Sequence, residues 1–294
     1  MSPQSSHHWV RRLTKGLIYG GLIVWSLVCL FPIYWVTVTS FKDVYIIDRA
    51  PTYVPFLDFT PSLDAWRFIL LDANENLTLR AVNSIIIGIF STLSTMVIGG
   101  MAVYGLTRFV PKVSATGVMT FMLCSRILPP VTIVLPLYFM AQFTGTRDSL
   151  GFLIFVYTAI NLPIAVWMLA PVFGPKATEQ EEAAQIDGAS HIYIFFRILL
   201  PMVRTAMITV GLLVFLQCWN EYLFAVYLTS DHALTVPPWM VGQLSMKEAQ
   251  IGGEAEEWAH LSAATVVMAL PALVFTVFAQ RFLGHAFVAR STAK

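Results

Sequence analysis

Charged residues are scarce in this chain, at 12% of its 294 residues, whereas ordinary globular proteins carry roughly 25%. Hydrophobic residues make up 57% of the chain. The formal net charge of +1 argues against nucleic acid as a partner, because nucleic-acid-binding faces are rich in Lys and Arg. The composition therefore predicts a protein whose main solvent is the lipid bilayer.

Cysteine pairs, metal-ligand clusters and nucleotide-binding motifs are also lacking. The three cysteines lie within apolar runs, and the histidines are scattered without ligand spacing, so we predict neither a metal site nor a cofactor. No G-x-x-x-x-G-K-[ST] phosphate loop occurs, and no set of nucleophile and base stands out in a polar segment. The chain is therefore not expected to be an enzyme, and any ATP would have to be hydrolysed by another subunit.

Long apolar stretches are abundant instead. A helix needs about 20 apolar residues to cross the hydrocarbon layer of a membrane. The stretches that qualify are 16–40, 83–107, 115–141, 150–173, 203–228 and 261–284. These predict an all-α integral membrane protein with six transmembrane helices in a domain covering 16–284. An N-terminal segment, 1–15, and a C-terminal tail, 285–294, flank it.

The distribution of basic residues predicts how the helices are oriented. Lys and Arg are concentrated before the first stretch, at 108–112, within 174–204 and after the sixth stretch. Because Lys and Arg are enriched on the cytoplasmic side of membranes, both termini and the 174–202 loop are predicted to be cytoplasmic. The longest external connection is then 41–80.

The 174–202 loop is the most informative polar segment. Residues 179–189 contain good helix formers, and Gly188 is a natural helix stop because glycine tolerates a left-handed conformation. One interpretation is an amphipathic helix lying on the membrane surface, and the other is a helix that docks on a partner protein. Residues 179–187 hold four acidic residues and no basic one, which favours docking, since surface helices favour Lys and Arg on their polar face.

Part of this loop, EEAAQIDGASHIYIFFRILLP (181–201), resembles the EAA loop of ABC-importer permeases. The match comprises Glu182-Ala183-Ala184, Gly188 and the closing Ile198 to Pro201, with the family's spacing. The blocks at 31–42, 80–109, 126–130, 161–169 and 219–228 are similar to those of the maltose-type carbohydrate permeases, in the expected order. Only the tail, GHAFVARSTAK, departs from the Gly-rich, Lys-terminated ending of that branch, which leaves its role open.

The resemblance implies a permease subunit of an ATP-driven ABC importer in a bacterial inner membrane, for a sugar, an oligosaccharide or a polyol. The implied partners are a second homologous permease, two ATP-binding subunits and an extracytoplasmic substrate-binding protein. A coupling helix between helices 4 and 5 would transmit ATPase movement so that the pathway alternates between its two sides. The residues expected to couple to the ATPase are Glu181, Glu182, Ala183, Ala184, Asp187, Gly188 and Ala189.

Polar residues within the predicted spans are candidates for lining the pathway. They are Arg126, Asn161, Gln217, Asn220 and Glu221. An intramembrane charge is costly and often functional, but polar groups also hold helices together, and both interpretations stay open. We expect Arg126 and Glu221 to pair across helices, and we expect Gln217, Asn220 and Glu221 to share one helix face, by the i, i+3, i+4 rule.

Two other classes of protein remain. A secondary transporter or channel would work without ATPase partners, and its acidic loop would be only a linker. Ion coupling favours buried carboxylates in several spans, and here only Glu221 qualifies. A membrane scaffold without transport activity is the third class. The solute itself cannot be derived from this chain, because the binding protein usually sets selectivity.

Overall fold

The computed structural model describes residues 4–47, 52–71, 77–173, 175–247 and 254–291. The described residues form helices and no β-strand, in agreement with the predicted all-α class. Residues 1–3, 174 and 292–294 of the predicted segments, and 48–51 and 72–76 of the predicted external connection, lie outside the described residues.

The helices of the first half of the chain are α1 (Gln4–Thr39), α2 (Val44–Ile47), α3 (Asp64–Leu71), α4 (Leu77–Arg108), α5 (Lys112–Cys124), α6 (Pro130–Thr144) and α7 (Leu150–Leu169). Those of the second half are α8 (Pro175–Ile186), α9 (His191–Tyr193), α10 (Leu200–Trp219), α11 (Leu223–Leu228), α12 (Val236–Lys247) and α13 (Glu254–Ser291). Short 3-10 turns cover Ser125–Ile127 and Ala170–Phe173, and a π-helical turn covers Ile194–Leu199.

Among the described residues, five helical segments are long and apolar enough to cross a membrane. They are Thr14–Thr39, Leu77–Arg108, Leu150–Phe173, His191–Trp219 and Trp258–Val277. A sixth span exists if the bent pair Lys112–Ile127 and Pro130–Thr144 is counted as one. The number of spans predicted from the sequence agrees with this count.

The third predicted span, 115–141, is not one straight helix. Its two halves meet at 89°. Leu128, between them, has a ψ of 129°, which is extended backbone, because the ring of a following proline disfavours the helical region. The pair Pro129 and Pro130 therefore ends one helical segment and begins the next.

The fifth predicted span, 203–228, is also interrupted. Helix α10 ends at Trp219, and Asn220 follows with φ −92° and ψ 4°, outside the helical region. A new short helix, α11, begins at Leu223. The expected continuous helix is wrong here, because side-chain and backbone contacts around Glu221 stabilise a break.

The chain divides into two compact units. The larger contains the described residues of 77–242 and 268–291. In it, α4 packs against α7 and α10, α5 packs against α7, and α6 packs against α11. Its core is apolar, with Val103, Leu153, Ala165 and Leu199 fully buried.

The smaller unit contains the described residues of 4–71, 243–247 and 254–267. Lys42 is its main buried charge: its Nζ donates to the Thr52 carbonyl over 2.7 Å and lies 4.4 Å from the centre of the Trp35 ring. Burial lowers the pKa of Lys42, and the Asp58 carboxylate partly opposes this effect. Hydrogen bonding and cation–π contact thus hold the segment after α1 together.

Candidate functional site

Helix α8 carries the acidic, alanine-rich sequence of the predicted loop and ends in a glycine turn. Gly188 has a φ of +82°, a conformation that glycine adopts without strain. Its N–H donates to the Gln185 carbonyl over 3.0 Å, and the Ala189 N–H donates to the Ala184 carbonyl over 3.0 Å. These two bonds satisfy the last carbonyls of the helix. The glycine stop predicted from the sequence is confirmed.

Most of the predicted coupling residues are exposed on the loop surface, namely Glu182, Ala183, Asp187 and Gly188. Ala184 and Ala189 are half-buried and pack against the apolar core of the larger unit. Ile186 is 87% exposed. The loop surface therefore carries one exposed apolar side chain among acidic ones.

The side chain of Glu181 points away from that surface. It is 2% exposed, and its two carboxylate oxygens accept hydrogen bonds from Nε and Nη2 of Arg108, each over 2.8 Å. Arg108 also donates through Nη1 to the Phe173 carbonyl over 3.2 Å. Glu181 was expected to face an ATPase, but its carboxylate is occupied inside the chain because Arg108, the last residue of α4, reaches it.

A cavity of about 600 Å³ opens beside α8. Its apolar wall includes Leu106, Met119 and Phe173, and its charged rim includes Lys112, Glu179 and Glu182. Among the described residues, Glu179 and Glu182 form no ion pair. The lining therefore combines an apolar wall with side chains of both charges, because Arg108 also borders the cavity.

A π-helical turn joins this loop to α10. The Leu200 N–H donates to the Phe195 carbonyl, five residues back. Pro201 has no N–H, and its ring disfavours the usual carbonyl position four residues earlier. The wider turn accommodates the proline that closes the motif, so the loop continues into α10 without a break in the helix.

The predicted pathway residues divide into two groups. Arg126 donates from Nη2 to Oε1 of Gln217 over 3.3 Å, and both side chains are exposed, as is that of Asn220. These three lie on the outside of the larger unit within or beside candidate spans. The structure thus brings Arg126 together with Gln217, which the sequence had grouped but not paired.

Asn161 is buried instead, and Glu221 is half-buried. Asn161 Nδ2 donates to the Tyr157 carbonyl over 2.9 Å and contacts Cys218 Sγ at 3.4 Å. Oε2 of Glu221 accepts from the Tyr157 hydroxyl over 2.7 Å. The carboxylate also accepts from the N–H groups of Phe224 and Ala225, over 2.9 Å and 3.1 Å. These contacts fix the start of α11.

Two expectations about Glu221 are therefore wrong. The described residues show no ion pair between Arg126 and Glu221, because Glu221 is occupied by Tyr157 and the start of α11. Glu221 also does not continue the face that carries Gln217 and Asn220, because α10 has ended at Trp219. The i, i+4 argument fails where the helix stops.

The carboxylate of Asp148, which was not identified from the sequence, holds a loop in a part of the larger unit that does not include α8. Asp148, between α6 and α7, accepts hydrogen bonds from four consecutive backbone N–H groups, those of residues 230–233, over 2.9–3.0 Å. Burial by itself raises the pKa of Asp148, but the four donors outweigh it and hold the pKa well below 3.8. The sequence provided only a weak indication of this role. Asp is among the few residues that tolerate a positive φ, and the φ of Asp148 is 60°.

The N-terminal end of α4 holds the same loop from a second side. Arg80 donates to the carbonyl and to the carboxylate of Asp231, the latter over 2.7 Å. Asn83 donates to the carbonyls of His232 and Leu234 over 2.8 Å and 3.1 Å. These side chains belong to the 80–109 block, so its polar start serves to fix the 229–236 loop.

This helical bundle, with its interrupted spans and an exposed acidic loop between the fourth and fifth of them, defines a multi-pass membrane protein of the permease type. A family profile described as "Binding-protein-dependent transport system inner membrane component" matches residues 96–287. The chain belongs to this family. It is therefore a multi-pass inner-membrane transport component and not an enzyme.

Relatives of known designation extend the match over almost the whole chain. The trehalose/maltose transport system permease protein MalG of Thermococcus litoralis is 31% identical over 274 residues, which cover 92% of this chain and 94% of that protein. The diacetylchitobiose uptake system permease protein NgcG of Streptomyces coelicolor is 31% identical over 268 residues, covering 90% and 84%. The family and the maltose-type resemblance seen in the sequence are confirmed.

A solved structure supports the fold. It is a bacterial ABC transporter involved in the import of the acidic polysaccharide alginate, and one of its chains superposes on this one with a TM-score of 0.71. The match covers 96% of this chain and 98% of that chain at 16% identity. At that identity the likeness concerns the fold alone.

Proposed function

We propose that this chain is one of two permease subunits of an ATP-driven importer for a sugar, an oligosaccharide or a polyol. Trehalose, maltose and diacetylchitobiose in the names of its relatives support a carbohydrate. The partners are a second homologous permease, two ATP-binding subunits and an extracytoplasmic substrate-binding protein. The two permeases open the pathway alternately to either side of the membrane, and both termini lie in the cytoplasm.

The exposed surface of α8 carries the coupling part of this proposal. Glu182, Asp187 and Ile186 project from it, and the charged rim of the neighbouring cavity includes Glu182. An ATPase subunit that offers a cationic side chain with an apolar stem would satisfy both the acids and the cavity. ATP binding would move that subunit and α8 with it.

Glu182→Lys and Gly188→Val test the coupling role. The first replaces an attractive charge by a repulsive one. The second forces a β-branched residue to a φ of +82°, although a Cβ at that position meets no atom within 4 Å, so backbone strain alone distorts the turn. We expect both variants to insert normally and to lose at least about tenfold in ATPase association, which corresponds to about 1.4 kcal/mol, measured by copurification.

Gly145 provides the matched control. Its φ is +67° and a Cβ there also meets no atom within 4 Å, but it follows α6, away from α8. Gly145→Val introduces similar strain and is expected to keep the ATPase bound. Normal association in both loop variants would contradict the assignment of α8 as the coupling helix.

We further propose that Arg126, Gln217 and Asn220 line the pathway, while Asn161 and Glu221 hold the break between α10 and α11 behind them. The exposure of the first group and the burial of Asn161 support this division. Polar side chains on the outside of a span favour water or a polar partner over lipid.

Thiol accessibility tests the pathway assignment. In a variant without the exposed Cys29 and Cys124, Gln217→Cys and Asn220→Cys should react with a water-soluble maleimide in the assembled complex, and ATP should change the rate. The native Cys218 is 5% exposed and should stay unreactive, which makes it an internal control one residue from the test position. Protection of both new cysteines in every nucleotide state would mean that this face packs against protein or lipid.

A further inference from the structure

The ion pair between Glu181 and Arg108 links α8 to the inner end of α4, elements that are 73 residues apart in sequence. The side chains are 2% and 14% exposed. Both guanidinium–carboxylate contacts are 2.8 Å, the bidentate geometry that makes such a pair both strong and directional. The loop is therefore attached to α4 through side chains, in addition to its covalent continuation into α10.

Burial makes this attachment stiff. Removing a charge from water is costly, and the loss of one partner leaves the other uncompensated in the interior. Separating the pair would therefore break both hydrogen bonds and leave two charges uncompensated in the interior. A purely apolar contact at this place would hold α8 against the bundle but would tolerate sliding, because hydrophobic contacts are not directional.

Helix α4 is the element best placed to receive a displacement. It packs along both α7 and α10, and Gly88, Gly99 and Gly100 allow close approach of neighbouring side chains. A shift of its inner end therefore reaches the two helices that form the centre of the larger unit. Close-packed interfaces of this kind transmit movement rather than absorbing it.

We propose that Arg108 and Glu181 are positioning residues that transmit the displacement of α8 to α4. The inference rests on the proposed coupling function of α8. Adjacent acids then have separate tasks: Glu182 meets the ATPase, and Glu181 passes the movement into the bundle.

The test compares Glu181→Gln with Glu182→Gln in the complete complex, purified through a tag on this chain. Both substitutions remove one charge and keep the size of the side chain. A fluorophore on Met101→Cys, a position in α4 that is 52% exposed, reports movement of α4 in a variant lacking Cys29 and Cys124. The probe is ATP with vanadate, so no transported solute is needed.

In Glu181→Gln, we expect the ATPase to remain bound and to hydrolyse ATP, while the nucleotide-dependent fluorescence change falls about tenfold, within the range typical of coupling between sites. Arg108→Gln should behave in the same way. The reversed pair, Arg108→Glu with Glu181→Arg, should recover part of the signal. Glu182→Gln should instead weaken ATPase association while the complexes that do form keep their signal.

Other results would overturn the proposal. If the Glu181→Gln complexes that form show the full fluorescence change per complex, even at a reduced yield of complex, then the ion pair only stabilises the fold. Loss of ATPase association equal to that of Glu182→Lys would place Glu181 in the docking surface itself. Failure of the coupling function is distinguishable, because Glu182→Lys and Gly188→Val would then bind the ATPase normally.

Discussion

At the residue scale, neighbouring carboxylates on α8 have opposite environments. Glu181 is buried against Arg108, whereas Glu182 is exposed. The sequence located both acids, and the glycine turn after them was predictable because only glycine takes that backbone conformation freely. Which acid turns inward was not predictable, since the answer depends on an arginine at the end of another helix.

Asp148 gives a prediction at the same scale. Its carboxylate accepts four backbone N–H bonds, and Asp148→Asn removes the charge and replaces one acceptor oxygen by an NH₂ group. We expect the free energy of unfolding to fall by about 2 kcal/mol, a typical value for hydrogen bonds to a charged group. Thermal unfolding of the detergent-solubilised chain measures it.

The pH dependence of this effect follows from the lowered pKa. Because the folded-state pKa lies below the ordinary 3.8, the stabilisation is complete above about pH 4 and is lost as the pH falls through the folded-state pKa. Wild type and Asp148→Asn should therefore differ by a constant amount from pH 7 to about 4 and converge below. Asp58→Asn is the control: among the described residues, Asp58 accepts two backbone N–H groups, those of Tyr53 and Val54, and its substitution should have a smaller effect. Equal stability of Asp148→Asn and wild type at pH 7 would refute the prediction.

At the element scale, apolar length predicted the helices and failed at their interruptions. The proline pair at 129–130 was a visible warning of the bend. The end of α10 was not visible, because Trp219 to Tyr222 contain neither proline nor glycine, and the break depends on contacts of Glu221 with Tyr157. Composition determines which segments are apolar, but tertiary hydrogen bonds determine where a span is broken.

The packing of α4 on α10 provides a prediction for a pair of elements. A Cβ at Gly88 would lie 2.8 Å from Cε2 of Phe215. The Phe215 ring cannot move freely, because two other rings pack on it. Its centre lies 6.1 Å from that of the stacked Trp219 ring and 4.5 Å from that of the Phe275 ring. We expect Gly88→Ala to destabilise the larger unit by about 1–3 kcal/mol, as overpacking does, measured by thermal unfolding in detergent.

Gly105, on the same helix, is the matched control. A Cβ there meets no atom within 4 Å, so Gly105→Ala should be neutral or slightly stabilising through its helix propensity. Phe215→Leu in the Gly88→Ala variant should recover part of the loss. Equal stability of the two glycine variants would show that α4 and α10 are not closely packed at Gly88.

At the scale of the whole molecule, the class of protein could be predicted and the tertiary contacts could not. Scarce charge and repeated apolar stretches of about 20 residues are enough to indicate a multi-pass membrane protein. The loop 229–236 shows the limit of prediction. Its partners, Asp148 and Arg80, come from distant positions, and no local pattern in the loop itself identifies them.

The bend in the third span has a consequence for how the chain is made. Helices α5 and α6 contain 13 and 15 residues, or about 20 Å and 23 Å at 1.5 Å per residue, and neither alone crosses a hydrocarbon core of about 30 Å. Helix α5 contacts the earlier α4 but packs mainly on α7, and α6 packs mainly on α11; both main partners are synthesised later. We therefore expect the third span to complete its packing only after the ribosome has passed Leu228, later than its position in the chain would suggest.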